Sequence, residues 1–422
     1  MIQFLIKGVL RDKSKSLLPT VIVTLGVFVV VVMCGFMDGM LNNMVNTTAN
    51  FDTGHVKVMS RAYEKEKEQQ PLDLAMYDVA ALTQQLEQQY PEMEWYSRIS
   101  YGMLIDIPDE NGNSIGQAPV AGMAYDLLSD TSNEADRIGL ERILIAGKGI
   151  THKGEILVSK DLANRFQLKE GSIVTLFGSD MNGSMAFANR RVAGVVQTGI
   201  GMLDRGAIFT DIADTQEMLD MEDATTQILG FARNGIYNDE RCRQIKAEFN
   251  ASTDANDPYA PVMLVLSEQN GMGNMLQYAD SMSVAMLILL MFALALVLWN
   301  TGVLGSIRRY GEFGIRIAIG ESKRHIVSTL LSEALLIGLI GSTVGTVLGL
   351  SACYYLQEVG LDYSALLENM SMMVDPVIKA QISPYLCYIG FIPGVVSILA
   401  GTALASRAIF KRETANLFKE LD

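Results

Sequence analysis

The side chains best suited to chemistry are few and poorly placed for it. The three histidines, His55, His152 and His325, are scattered, and no Cys/His spacing suggests a metal. Of the four cysteines, Cys34, Cys353 and Cys387 fall in or near long apolar runs. Cys242 stands alone in a polar region, which therefore has no disulfide of its own. A phosphate-cradling loop needs G-x-x-x-x-G-K-[ST], and Ala146-Gly147-Lys148 lacks both the first glycine and the hydroxyl residue. Neither G-x-S-x-G nor H-E-x-x-H occurs. These absences argue against nucleotide hydrolysis, acyl transfer and metalloprotease chemistry on this chain.

The most informative segment is a surface. Ser306 to Arg324 reads SIRRYGEFGIRIAIGESKR, with Phe313, Ile315, Ile317 and Ile319 set among charges. A short helix here presents a mixed apolar and charged face. Such a face can seat in a groove on a soluble partner, or lie on lipid with its Arg and Lys side chains snorkelling. The residues alone leave both open.

The elements that must position this segment are membrane helices. Crossing ~30 Å of hydrocarbon takes about 20 residues, and four runs lack Asp, Glu, Lys and Arg: Leu17–Met37, Ser281–Ile307, Ala334–Gln357 and Ala380–Ser406. The chain is 49% hydrophobic yet 19% charged, with a mean hydropathy of +0.23. That combination fits apolar blocks joined to a polar domain. The expected layout is a basic amphipathic start at 1–16 and a first span at 17–40. An external domain follows at 41–278, then a second span at 279–305 and a cytoplasmic segment at 306–325. A third span at 326–356, a short outer loop at 357–380, a fourth span at 381–406 and a tail at 407–422 complete it.

Charge sets the orientation. Arg308, Arg309, Arg316, Lys323 and Arg324 outnumber Glu312 and Glu321 in the central segment, and both termini are also net positive. The positive-inside rule places all three in the cytoplasm. Leu41 to Tyr278 holds 19 Lys+Arg and 34 Asp+Glu, a balance of −15 against −14 for the whole chain. So acidic a domain is not built to hold nucleic acid. The first apolar run is too long for a signal-peptide core and reads as a retained anchor.

Within 41–278, period-two stretches predict strands at Gly54–Met59, Tyr96–Ile107, Gln117–Met123, Glu155–Val158, Ser172–Phe177, Arg191–Val196 and Gln227–Ala232. Helices are expected at Val79–Tyr90, Lys160–Phe166, Asp211–Asp220 and Glu240–Phe249. The mixture is α+β. Phe51–Gln70 and Asn250–Tyr278 read as stalks returning to the membrane. In the third span, Gly341, Gly345 and Gly349 put small residues on one face, where helices can approach closely.

The segment R-R-x-x-E-F-G-I-R-x-A-I-G, Arg308 to Gly320, followed by Glu333 at the head of the next helix, resembles the signature of FtsX-type permeases. Gly154–Leu176 is similar to the strand–helix–turn–strand of a MacB-type periplasmic core. Phe36-Met37-Asp38-Gly39-Met40 and Gly54–Val58 look like the lipoprotein-releasing (Lol-type) branch.

The resemblance implies a membrane domain of four transmembrane helices plus a large α+β extracytoplasmic domain of MacB periplasmic-core type. It implies an ABC transporter permease in a bacterial inner membrane, with both termini cytoplasmic and the large domain periplasmic. The chain would bind no cofactor, with ATP and Mg held by a cytoplasmic ABC ATPase dimer. The coupling role would fall to Arg309, Glu312, Phe313, Gly314, Arg316, Ala318 and Gly320. A second permease, identical or related, would pair with it, with a periplasmic carrier or adaptor as a further partner. The expected cargo is an amphiphile, first of all lipoprotein. MacB-like expulsion of a peptide, toxin or drug, and FtsX-like signalling to an external hydrolase, are the alternatives.

Overall fold

The computed structural model describes residues 13–108, 113–199, 201–308, 310–362 and 377–410. Arg309, residues 109–112, most of the amphipathic start and most of the C-terminal tail lie outside them.

In chain order the first helix is α1 (Lys13–Thr48), closed by a π-helical turn, Ala49–Thr53. Next come β1 (Val56–Ser60), α2 (Arg61–Glu66), α3 (Val79–Gln89), β2 (Met93–Pro108) and β3 (Ser114–Tyr125). Two single-turn helices, α4 (Glu134–Arg137) and α5 (Leu140–Ile143), lead to β4 (Leu144–Gly147), β5 (Glu155–Ser159), α6 (Lys160–Phe166), β6 (Ile173–Ser179) and β7 (Met185–Val196). Then follow α7 (Gly201–Gly206), β8 (Ala207–Asp211), α8 (Ile212–Leu219), β9 (Gln227–Ala232), α9 (Asp239–Ser252) and β10 (Pro261–Val265). The chain continues through α10 (Met272–Arg308), α11 (Tyr310–Ala318), α12 (Lys323–Val359), β11 (Leu361–Asp362), β12 (Val377–Ile378), α13 (Leu386–Ile389) and α14 (Phe391–Phe410).

These elements form two compact units, one built from 13–42, 277–362 and 377–410, the other from 43–276. Among the described residues, four stretches are long and apolar enough to cross a membrane: Leu17–Thr53, Met272–Leu304, Lys323–Val359 and Leu386–Arg407. Helix starts follow local chemistry. The Ser322 hydroxyl accepts from the His325 amide at 3.3 Å and caps α12. Pro384 offers no amide hydrogen, and the fourth stretch becomes helical only beyond it.

In the membrane unit, α1 lies against α12 through the three spaced glycines. A Cβ at Gly341, Gly345 or Gly349 would come within 2.9, 2.8 and 2.7 Å of Val23, Val27 and Val31 respectively. Each glycine therefore faces one valine a turn further along α1. Val23, Val27 and Val31 are fully buried there, with Ile337, Cys353 and Ile398.

The second unit is α+β. Its ten-stranded sheet runs β10-β1-β9-β2-β3-β8-β5-β7-β4, with β6 bridging β2 and β7. β2 is the spine: Met93–Arg98 pairs with β9, and Ile99–Pro108 pairs with β3. Pairs β3–β8 and β5–β7 are parallel, the rest antiparallel. On one half, Leu86 of α3 and Ile245 and Phe249 of α9 pack on Val58, Trp95 and Met263. On the other, Leu162 of α6 and Leu219 of α8 close over Ile105, Val158, Leu176 and Ile208. Gly171, at φ +89°, makes the turn from α6 into β6, and its amide donates to the Val192 carbonyl at 2.8 Å.

The strand expected at Gly54–Met59 forms as β1, and with β10 it draws parts of both expected stalks into this sheet. β1 pairs with β10, Val56 opposite Val265 and Ser60 opposite Pro261, while Val56 to Val58 also pairs with β9. The reason is burial: every residue of β1 is covered, so Val56, Val58 and Met59 need neighbours on both faces.

Candidate functional site

The site is built on two helical faces of the membrane unit. On α1, Val30, Met33, Cys34, Met37, Asp38 and Leu41 recur every three or four residues and share a face. On α10, Ser283, Met286, Leu287 and Leu290 do the same. With Tyr385 and Ile389 they enclose a cavity of about 340 Å³. Its wall is mostly aliphatic carbon and thioether, which adapts to irregular apolar ligands.

Two of its polar groups meet. The Tyr385 hydroxyl donates to Asp38 Oδ1 at 2.8 Å. Asp38 Oδ2 is shut off from solvent and has no hydrogen-bond partner. The Ser283 hydroxyl is engaged by its own helix, donating to the Ala279 carbonyl at 2.9 Å. At Gly39 a Cβ would run into the carbonyl of Lys379, so only glycine lets this turn of α1 approach so closely. Such a wall can hold a hydrocarbon chain; among the described residues that line it there is no nucleophile–base pair.

The second face is α11. Phe313 is 2% exposed, turned inward. Ile315 and Ile319 are 64% and 81% exposed and stand with Glu312 and Ala318 at the surface. Gly314 and Arg316 are half-buried, and Gly320 ends the helix at φ +99°. Arg309 lies outside the described residues. Of the apolar residues expected on this face, Ile315 and Ile319 are outward and Phe313 is not. Ile315 and Ile319 follow Glu312 by three and seven residues, which sets them on its side of the helix.

Two family models match the sequence. The FtsX-like permease C-terminal model covers residues 284–414, and the MacB-like periplasmic core domain model covers 16–247. The chain belongs to the FtsX/MacB-type permease family. Its second unit is the MacB-like core, and the FtsX-like region takes in α11, α12 and α14. Among solved structures, the periplasmic region of MacB from Actinobacillus actinomycetemcomitans is similar at 10% identity and a TM-score of 0.33. That match covers 52% of this chain and 92% of the other. The family assignment rests on the sequence models and not on that likeness. No curated protein sequence matches the chain.

Permeases of this family are membrane subunits of ABC transporters, work with ABC ATPase partners and are generally not enzymes themselves. This chain is a membrane protein of that kind.

Outside the membrane unit, the strongest electrostatic feature is internal to the MacB-like core. Arg98 and Glu134 form a bidentate pair at 2.8 and 2.7 Å, with side chains 2% and 0% exposed. Arg98 Nη1 also donates to the Asn50 carbonyl at 2.6 Å, and the guanidinium lies 4.6 Å from the Tyr125 ring. Nearby, Lys57 donates to Asp52 at 2.8 Å, and burial pulls the lysine below its ordinary pKa against the pull of that carboxylate. His55 accepts from the Ala232 amide at 3.1 Å, and burial, then the Arg137 charge, holds its imidazole down at about 4. These groups fix the turn at Ala49–Thr53 into the core and are structural.

Proposed function

We propose that this permease seats an amphiphile, in the first place a lipoprotein of the inner membrane, in the cavity between α1 and α10 and releases it when its ATPase partner turns over. The observation that carries this is the cavity itself: mostly apolar, with Asp38 and Tyr385 hydrogen-bonded to each other in its wall. That division suits a molecule with an acyl chain and a polar head. No ion route is offered by the charge-free spans.

The ATPase dimer, carrying ATP and Mg, docks on α11 through Glu312, Ile315, Ala318 and Ile319. Phe313 anchors that helix from below, Gly320 ends it, and Gly314, Arg316 and Arg309 complete the segment. The glycine ridge Gly341, Gly345 and Gly349 keeps α12 against α1, so motion of α11 reaches the cavity wall. Only 6% of the most apolar window of α10 is buried, against 44% for α12. That exposure supports pairing with a second permease across α10, within the lipid bilayer. Orientation follows the basic segments, with both termini cytoplasmic and the MacB-like core periplasmic, where a carrier or adaptor receives the cargo.

The test is to purify the chain with its co-expressed ATPase and identify bound lipids and acylated proteins by mass spectrometry before and after ATP. Triacylated proteins that leave on ATP addition are expected. A bound peptide or adaptor in their place would transfer the chain to MacB-like expulsion. Partner binding without cargo movement would transfer it to signalling.

A further inference from the structure

We infer that a polar pocket in the MacB-like core binds a small dissolved zwitterion, its oxyanion on His55 and Arg137 and its ammonium on Asp136. The pocket measures about 400 Å³. It is lined by Asn46 and Asn50 from the end of α1 and the turn that closes it, by His55 just ahead of β1, and by Asn133, Asp136 and Arg137 at α4. All six belong to the second unit, so the site is independent of cargo seating between α1 and α10.

Two of the six are fixed donors. His55 Nδ1 accepts from the Ala232 amide at 3.1 Å, so the neutral ring carries its proton on Nε2. The Phe231 and Tyr237 rings each stand 5.6 Å from the imidazole, which leaves the Nε2 edge for the pocket. The Arg137 guanidinium is held 4.1 Å from the Phe231 ring and 4.9 Å from that of Tyr96. Its Nη2 donates to Glu94, and among the described residues its Nη1 has no partner. The side chains of Asn46, Asn50 and Asn133 also lack hydrogen-bond partners among the described residues. Arg137 Nε is sealed from solvent, but these amides and Arg137 Nη1 are not, so a ligand can reach them. Five side chains with unmet hydrogen-bonding capacity around one space form a wall that a polar molecule completes.

Charge narrows the class. Glu94 is shared between Arg137 and Arg233, so a positive surplus stays at the guanidinium side. Asp136 is exposed and brings the opposite sign. A bare anion meets Arg137 but is repelled by Asp136, and a bare cation meets the reverse. A molecule carrying both charges satisfies both. One carboxylate is too few for a hard metal ion, and among the described residues no cluster of His, Cys, Asp and Glu could hold one. An acyl chain would leave the amides unmet. Height decides the source. Met37 ends the first charge-free run, and Asn46 and Asn50 follow it by nine and 13 residues. At 1.5 Å per residue they stand about 14 and 20 Å further along the helix axis. The head-group layer is only about 5 to 8 Å deep. The ligand therefore comes from solution, as an α-amino acid or a phosphoethanolamine.

The experiment is titration calorimetry on the full chain in phosphatidylcholine nanodiscs, with two pairs of probes. Glycine is set against acetate, and O-phosphoethanolamine against ethyl phosphate. At least one zwitterion is expected to bind saturably, about three- to fivefold tighter than its twin without the ammonium, as an exposed ion pair allows. A preference confined to the first pair names the carboxylate; one confined to the second names the phosphate. Asp136→Asn is expected to erase the ratio. Asn133→Leu is expected to weaken the zwitterion about tenfold. Both positions are exposed, so both variants should keep the wild-type Tm.

Equal affinity within both pairs, or no saturable heat from any probe, overturns the inference in wild type and needs no variant to fold. So does a ratio that survives Asp136→Asn. Exchanging the disc lipid for phosphatidylethanolamine is expected to leave the probe Kd unchanged. Loss of probe binding in those discs would put a lipid head group in the pocket and overturn the dissolved source.

Discussion

Removing Glu134 tests whether the MacB-like core is organised around a buried ion pair. Glu134→Ala takes both partners from the fork of Arg98, at 2.8 and 2.7 Å, and leaves only the Asn50 carbonyl at 2.6 Å. Arg98 is 1% exposed and cannot shed its proton, so a full charge stays in the core. Breaking such a pair from one side costs about 3 to 5 kcal/mol. For a domain of this size that is a fall in Tm of about 10 °C. Trp95, buried between α3 and α9, reports the transition by fluorescence in the full chain in detergent once Trp299 is changed to Phe. Glu217→Ala is the control, because its pair with Lys153 is 3.8 Å long and both side chains are largely exposed. It should leave Tm unchanged. Arg98→Met combined with Glu134→Leu should recover most of the loss, since no orphaned charge remains. A Glu134→Ala shift no larger than that of Glu217→Ala would refute the reasoning.

Three further outcomes are expected. His55 is held neutral down to about pH 4, while the unfolded chain takes up that proton near 6.5. Folding stability should therefore fall as pH drops from 6.5 to 4, by up to about 3 kcal/mol from this group; thermal melts of wild type and His55→Gln across that range should converge at neutral pH and part below it. Gly345→Leu places carbon where Val27 and the Thr24 carbonyl already stand within 2.8 and 2.7 Å, so α1 and α12 must separate. Overpacking of this kind costs about 1 to 3 kcal/mol, and size-exclusion profiles should broaden. Ile319→Glu changes a side chain that is 81% exposed. The chain should keep its Tm but lose its ATPase on affinity purification, and retention of the ATPase would remove α11 from the docking surface.

Much of this was legible in the sequence because local chemistry and tertiary environment agree. Charge-free runs announce membrane helices whatever they pack against. Lys160–Phe166 is a helix in both readings, since its apolar spacing and the glycine at 171 point the same way. The misreadings come where partners distant in sequence decide. Val56–Ser60, expected as a strand, and Pro261–Val265, expected only as stalk, are some 200 residues apart by sequence numbering, and nothing in either segment names the other; only pairing makes the second a strand beside the first. Ala207–Asp211, overlooked as a strand, is buried at every position because β3 and β5 flank it.

The cavity shows the same limit at finer scale. Asp38 reads in sequence as the end of an apolar run, the residue that marks where the membrane stops. Its meaning changes once Tyr385, 347 positions away, donates to one of its oxygens and leaves the other enclosed. A carboxylate at a membrane edge needs no explanation, because water can satisfy it. A carboxylate with one oxygen cut off from water, beside a mostly apolar wall, does need one.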